Sequence, residues 1–177
     1  MKTLIVIDMQ NDFISGALGT PEAQAIVPNV KKKIEEYKNN GDEIIFTRDT
    51  HLEDYLETNE GKHLPVKHCI LDTDGWKIPE ELDIPECEHI NKPVFGNLYW
   101  DIVVTEDGNI NERNFEEIEI VGLCTDICVV SNALILKAAF PEINITVDAS
   151  CCAGVTPESH NAALTTMKMC QINVIGE

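Results

Sequence analysis

Short apolar runs recur along this chain at residues 3–7, 43–47, 88–91, 115–123, 143–147 and 172–175, with helix signals between most of them. Their length and β-branched content suit buried strands. Thr20-Pro21 is an N-cap followed by an N1 proline, and Asn40-Gly41 is a stop, so a helix is expected from Pro21 to about Asn39. Ile127 to Ala139 reads as a second helix ending before Pro141, and Thr156-Pro157 opens a last one that runs to about Cys170. Residues 97–105 read as a short helix and Asp107-Gly108-Asn109 as a turn. Strands that alternate with helices pack as a parallel sheet covered on both faces. The expected fold is therefore α/β: three α/β/α layers around a six-stranded, mostly parallel sheet. At 177 residues the chain reads as a single domain, residues 1–177.

Sites in such sheets lie beyond the carboxyl ends of the strands. Asp8, Asp49, His51, Lys92 and Cys128 all follow such ends and should converge on one rim. Between residues 52 and 86 the chain is polar and irregular, and a loop of that length in a compact domain usually serves function. Residues 121–130, VGLCTDICVV, present a strand, a tight turn and a helix. With Thr125 as N-cap, Cys128 falls in the first helical turn, where free N–H groups and the macrodipole favour a thiolate.

Taken singly, each of these residues has an ordinary role. A cysteine among Ile127, Val129 and Val130 is a small buried hydrophobe, Asp8 caps a strand end, and Lys92 is a surface cation. Together they form a chemical set. A Lys92 ammonium stabilises both the Asp8 carboxylate and a Cys128 thiolate. Asp8 can carry the thiol proton to a leaving amine, and the backbone N–H groups of Cys124 and Cys128 can hold an oxyanion.

Charge removes whole classes of partner. The chain has 31 acidic and 13 basic residues, a formal net charge of −18, which repels phosphate backbones and anionic membranes. The apolar start stops at Asp8, too soon for a signal peptide, so the expected location is cytoplasmic. Seven cysteines, an odd number, are expected as free thiols in a reducing compartment.

The segments IVIDMQNDF (5–13), FTRDTH (46–51), PVKHC (65–69), NKPVFG (91–96), VGLCTDICV (121–129) and VTPESHNAAL (155–164) together resemble the isochorismatase-like cysteine hydrolases, and within them the nicotinamidases. The resemblance covers nearly the whole chain. It implies a catalytic triad of Asp8, Lys92 and Cys128 and a cis peptide between Leu123 and Cys124 that aims the oxyanion N–H groups. It also implies a metal, zinc by expectation, on Asp49, His51 and His68, close to the pyridine nitrogen of the substrate. Many members place a further histidine between those ligands. This chain offers carboxylates there instead, with Glu60 favoured over Glu57, while His63 reads as a surface residue. Phe13 matches the aromatic that stacks on the substrate ring, and Trp76, Phe95 and Leu123 are further candidates for the pocket wall. His160 is expected to cap or pack the last helix, and Cys151 and Cys152 to be buried.

The implied reaction is hydrolysis of nicotinamide to nicotinate and ammonia through a thioester. The partner is then a small amide, not a nucleic acid or a membrane. Relatives often form homo-oligomers, though no interface is marked in this sequence. Two other readings stand beside it. One is a related hydrolase acting on a carbamoyl or ureido compound or on isochorismate. The other is a non-catalytic zinc or redox module built on Cys124, Cys128, Cys151 and Cys152.

Overall fold

The structure is a computed structural model that describes residues 1–104 and 107–177. The chain runs β1 (Lys2–Ile7), α1 (Asn11–Ile14), α2 (Pro21–Asn40), β2 (Glu43–Asp49), α3 (Asn59–His63), β3 (Glu88–Lys92), β4 (Ile102–Val104), β5 (Ile110–Glu112), β6 (Glu117–Leu123), α4 (Val130–Ala139), β7 (Asn144–Ala153), α5 (Pro157–Met169) and β8 (Asn173–Ile175). Six strands form one sheet in the order β3-β2-β1-β6-β7-β8, and every pairing in it is parallel.

Alternation along the strands builds two cores. Leu4, Val6, Ile44 and Phe46 face one side, against Ile26, Val30 and Ile34 of α2. Ile5, Ile7, Ile118 and Ile120 face the other, against Ala133 and Leu136 of α4 and Leu164 and Met167 of α5. The expected three layers are present. Glu119, the one charge inside the apolar run of β6, meets Lys33 at 2.6 Å and the Tyr37 hydroxyl at 2.6 Å, both on α2.

The helix starts follow their signals. Thr20 accepts from the Ala23 N–H, α2 ends at Gly41 with φ 72°, and Thr156 forms a capping box with Ser159. Other expectations need correction. Residues 97–104 are not helical: 102–104 pair antiparallel with 110–112, and Thr105 lies outside the described residues. Ile102, Val103 and Val104 are β-branched and Gly108 adopts φ 81°, so strand preference and a tight turn prevail over helix.

Strand β7 does not stop at Asp148. Its pairing with β6 shifts register between Ile120 and Gly122, and the strand resumes to Ala153. Asp148 is accommodated within the bulge because Lys33 lies 3.0 Å from its carboxylate and the Ser150 N–H and hydroxyl both donate to it. The loop regions at 9–19 and 52–86 also contain short helices, at Asn11–Ile14, Tyr55–Glu57 and Asn59–His63.

Successive strands move outward from β1 in one direction and from β6 in the other. The order therefore reverses between β1 and β6, and ligands in open sheets bind beyond such a point.

Candidate active site and metal centre

Asp8 leaves β1 in the left-handed region with φ 46°, and its side chain is fully buried. A non-glycine residue held there is strained, as residues at working sites often are. Its Oδ1 accepts from the Thr47 hydroxyl at 2.7 Å, while Oδ2 lies 2.6 Å from Lys92 Nζ and makes no well-aligned hydrogen bond. Lys92, the last residue of β3 and the register partner of Asp49, is 2 % exposed. Its ammonium also reaches Asp49 Oδ1 at 3.4 Å, Cys128 Sγ at 3.5 Å and the Val94 carbonyl at 3.3 Å. One cation thus joins two carboxylates and the thiol.

Charge in this cluster follows from burial and partners. Burial works against the Lys92 ammonium, but Asp8, Cys128 and Asp49 outweigh it and hold the amine well above its ordinary range. Burial raises Asp8, with Lys92 opposing and Asp49 reinforcing. Burial and then the neighbouring Asp8 push the Cys128 thiol well above its usual value. The thiolate expected at the helix start is therefore opposed by its surroundings. Desolvation and a nearby carboxylate outweigh the N–H groups of one turn.

That turn also departs from expectation. Thr125–Val129 is π-helical, with Cys124 rather than Thr125 in the N-cap position. The Cys124 carbonyl accepts the N–H groups of both Ile127 and Val129 at 3.1 Å, the second spanning five residues. Thr125 instead pairs its hydroxyl with His160 Nδ1 at 2.8 Å, and Asp126 accepts the Val155 N–H. His160 thus packs α5 onto the turn. The Leu123–Cys124 peptide bond is cis.

Asp49, His51, Glu60 and His68 bring one ligand atom each within 4.8 Å of one another. His51 Nε2 lies 3.0 Å from Asp49 Oδ2 and 3.5 Å from Glu60 Oε1; His68 Nε2 lies 3.6 Å from the same Asp49 oxygen. His68 Nδ1 faces the Val66 carbonyl at 2.8 Å, which turns Nε2 toward the carboxylates. Burial opposes charge on His51, yet Asp49 and Glu60 push its pKa up to about 9. Burial likewise opposes charge on Asp49, and hydrogen bonds from His51 and His68 hold it well below the carboxylate range. Two imidazole nitrogens and two carboxylate oxygens that draw positive charge together fit a divalent cation such as zinc. Of the two candidate carboxylates, Glu60 belongs to this group and Glu57 does not.

A cavity of about 330 Å³ lies between the two constellations. Phe13, Phe95, Leu123, Cys124 and Cys128 line it together with Asp49, Glu60 and His68 of the candidate metal group. Trp76 does not line it. Its indole N–H donates to the Thr50 hydroxyl and its ring carries the Arg48 guanidinium at 4.1 Å, so the aromatic was consumed by the irregular loop. His63 is exposed, and Cys151 and Cys152 are buried. Those two face opposite cores, Cys151 with α2 and Cys152 with α4, so the four thiols do not form one site.

Several residues that hold the site went unread in the sequence. Gln10 donates to the Asp49 and Trp76 carbonyls and accepts the Asp49 N–H, tying β1 to β2. Tyr55 packs its ring 4.6 Å from His51 and 5.0 Å from His68. Asn132 accepts from the Asn97 N–H and the Trp100 indole and donates to the Phe95 and Cys128 carbonyls. Its position four residues after Cys128 was the available signal.

The chain is similar to known proteins over almost its full length. Nicotinamidase from Schizosaccharomyces pombe is 24% identical over 208 residues, covering 98% of this chain and 92% of the relative. The crystal structure of pyrazinamidase from Pyrococcus horikoshii in complex with zinc is 29% identical, with a TM-score of 0.79 and 99% of each chain covered. That of nicotinamidase from Bacillus subtilis is 26% identical, with a TM-score of 0.81 and 98% of each chain covered. The isochorismatase domain model matches residues 2–176. On that match, and with the cysteine, carboxylate and lysine gathered where the strand order reverses, the chain belongs to the isochorismatase family.

Proposed function

We propose that this protein is a cysteine amidohydrolase that converts nicotinamide into nicotinate and ammonia. One observation carries the reading. Lys92 Nζ stands 2.6 Å from Asp8 Oδ2 and 3.5 Å from Cys128 Sγ, beneath an apolar cavity with no lysine or arginine among its described lining residues. A neutral aromatic amide suits such a cavity, whose lining is mostly apolar side chains.

The resting nucleophile is a thiol beside a carboxylate. As Sγ bonds to the carboxamide carbon, its proton passes to Asp8 and the carbonyl electrons move onto oxygen. The N–H groups of Cys124 and Cys128 receive that oxyanion. Collapse breaks the carbon–nitrogen bond, and the nitrogen takes the proton from Asp8 and leaves as ammonia, with a thioester on Cys128. Water then attacks the thioester and gives a proton to Asp8, which returns it to the departing sulfur. The product leaves as nicotinate once water's second proton passes to solvent, and Lys92 keeps the charge balanced throughout. A divalent metal held by Asp49, His51, Glu60 and His68, zinc in this reading, supplies a Lewis-acid position for the pyridine nitrogen. The cytoplasm is the compartment we infer, and the seven unpaired cysteines support it.

The test is ammonia release from nicotinamide and from carbamoyl compounds, using purified protein before and after chelation, with the metal content measured directly. Turnover of nicotinamide that falls on chelation and returns with zinc is expected. Inert nicotinamide with active carbamoyl compounds would move the assignment to the related hydrolases.

A further inference from the structure

A second cavity of about 690 Å³ adjoins the first, and the two share Glu60, Leu64, Phe95 and Ile127 as lining. These four side chains are the partition between the spaces. Leu64 is 38% exposed and Phe95 43%, high for large apolar side chains beside a reaction cavity. Both stand on fixed backbone. The Leu64 carbonyl accepts from the Tyr55 hydroxyl and its N–H donates to Glu60, while the Phe95 carbonyl is held by Asn132 and Gly96 packs against Ile135. The partition can therefore yield by side-chain rotation while the loops stay in place.

The far wall combines apolar and polar groups. Pro93 and Val94 line the cavity together with Thr58, Asn59 and His63. The Thr58 hydroxyl is already engaged with the Tyr55 carbonyl and the Gly61 N–H. His63 Nδ1 faces the Asn59 carbonyl at 2.8 Å and donates to it, which leaves Nε2 as the ring's acceptor. No lysine or arginine is among the described lining residues, while Glu60 contributes a carboxylate and His51 an imidazole, both from the candidate metal group.

The geometry points to this second cavity as a subsite for an uncharged substituent on the ring of an aromatic carboxamide, with a hydrogen-bond donor at its end for His63. The inference rests on the amidase reading above and extends its substrate class beyond the single unsubstituted ring. A charged substituent would lose hydration against Leu64, Pro93, Val94 and Phe95, which favours an uncharged one.

The experiment uses metal-loaded full-length enzyme and a panel of nicotinamides carrying a hydroxypropyl chain at successive ring carbons, with propyl and carboxyethyl counterparts. At least one hydroxypropyl isomer should reach a kcat/KM within about tenfold of nicotinamide, with its carboxyethyl counterpart at least about tenfold poorer. Asn59→Trp, which adds bulk at the second cavity alone, should lower the extended isomer by about tenfold or more and leave nicotinamide unchanged. His63→Phe should lower the hydroxypropyl isomer by about tenfold and spare the propyl one, the worth of one hydrogen bond. Circular dichroism on both variants separates these effects from misfolding. Hydrolysis of nicotinamide with refusal of every extended isomer would overturn the subsite alone, as would an Asn59→Trp enzyme slowed equally on both substrates. A wholly inert panel, nicotinamide included, would instead remove the amidase reading on which the subsite depends.

Discussion

Asp8 and Cys128 illustrate how burial sets chemistry at the level of single side chains. Both are fully enclosed, and burial raises the pKa of each. In the proposed mechanism the thiol keeps its proton until substrate arrives, and Asp8 must be ionised to accept it. As pH falls through the raised pKa of Asp8 the base is lost, so the acid limb of kcat/KM on nicotinamide should lie above the ordinary carboxylate value of about 4. A limb at that ordinary value would remove Asp8 from the base role. The two cysteines of the turn should also separate. Cys128→Ala is expected to lose turnover altogether and to keep the native far-UV spectrum, because it deletes one sulfur from a well-packed site. Cys124→Ala keeps the backbone N–H that the mechanism uses and should retain activity of the same order. Equal activity in the two variants would contradict the assignment of the nucleophile.

Strand β6 and the turn after it show what an element requires beyond its own propensity. Gly122 has φ 120°, and a Cβ there would lie 2.1 Å from the Ile7 carbonyl oxygen of the neighbouring strand. Gly41, at the end of α2, has φ 72° but open space around it. Gly122→Ala should therefore cost on the order of 3 kcal/mol, from strain and overpacking together. Gly41→Ala should cost only about 1 kcal/mol, from strain alone. Urea midpoints of the two variants make the comparison, and equal losses would mean that the close approach of β1 to β6 does not matter. The helix caps at Thr20 and Thr156 were legible because each is a local arrangement within a few residues. The π-helical turn was not, since Thr125 turns away to His160, which is 35 positions distant.

For the whole molecule the dominant quantity is the net charge of −18. Self-repulsion opposes the compact state and is screened by salt. Raising ionic strength from about 0.01 M to about 0.15 M shortens the screening length from roughly 30 Å to 8 Å, so the melting temperature should rise. A melting temperature that is unchanged or falls would mean that the ion pairs on the surface offset the excess of acid.

The sequence by itself determined the alternation of strands and helices, and hence a parallel sheet with its chemistry on one rim, because apolar periodicity and capping are local properties. It also carried Asp8, Lys92, Cys128, Asp49, His51 and His68, whose place after a strand end or within a family motif marks them. Tertiary structure alone decided which residues meet. It selected Glu60 over Glu57, sent Trp76 to Thr50 and Arg48, continued β7 past Asp148, and brought Asn132, Gln10 and Tyr55 to the site. It also set burial and the Asp8 carboxylate against the thiolate expected at Cys128. Desolvation depends on everything packed around a group, and that information is not contained in its sequence neighbours.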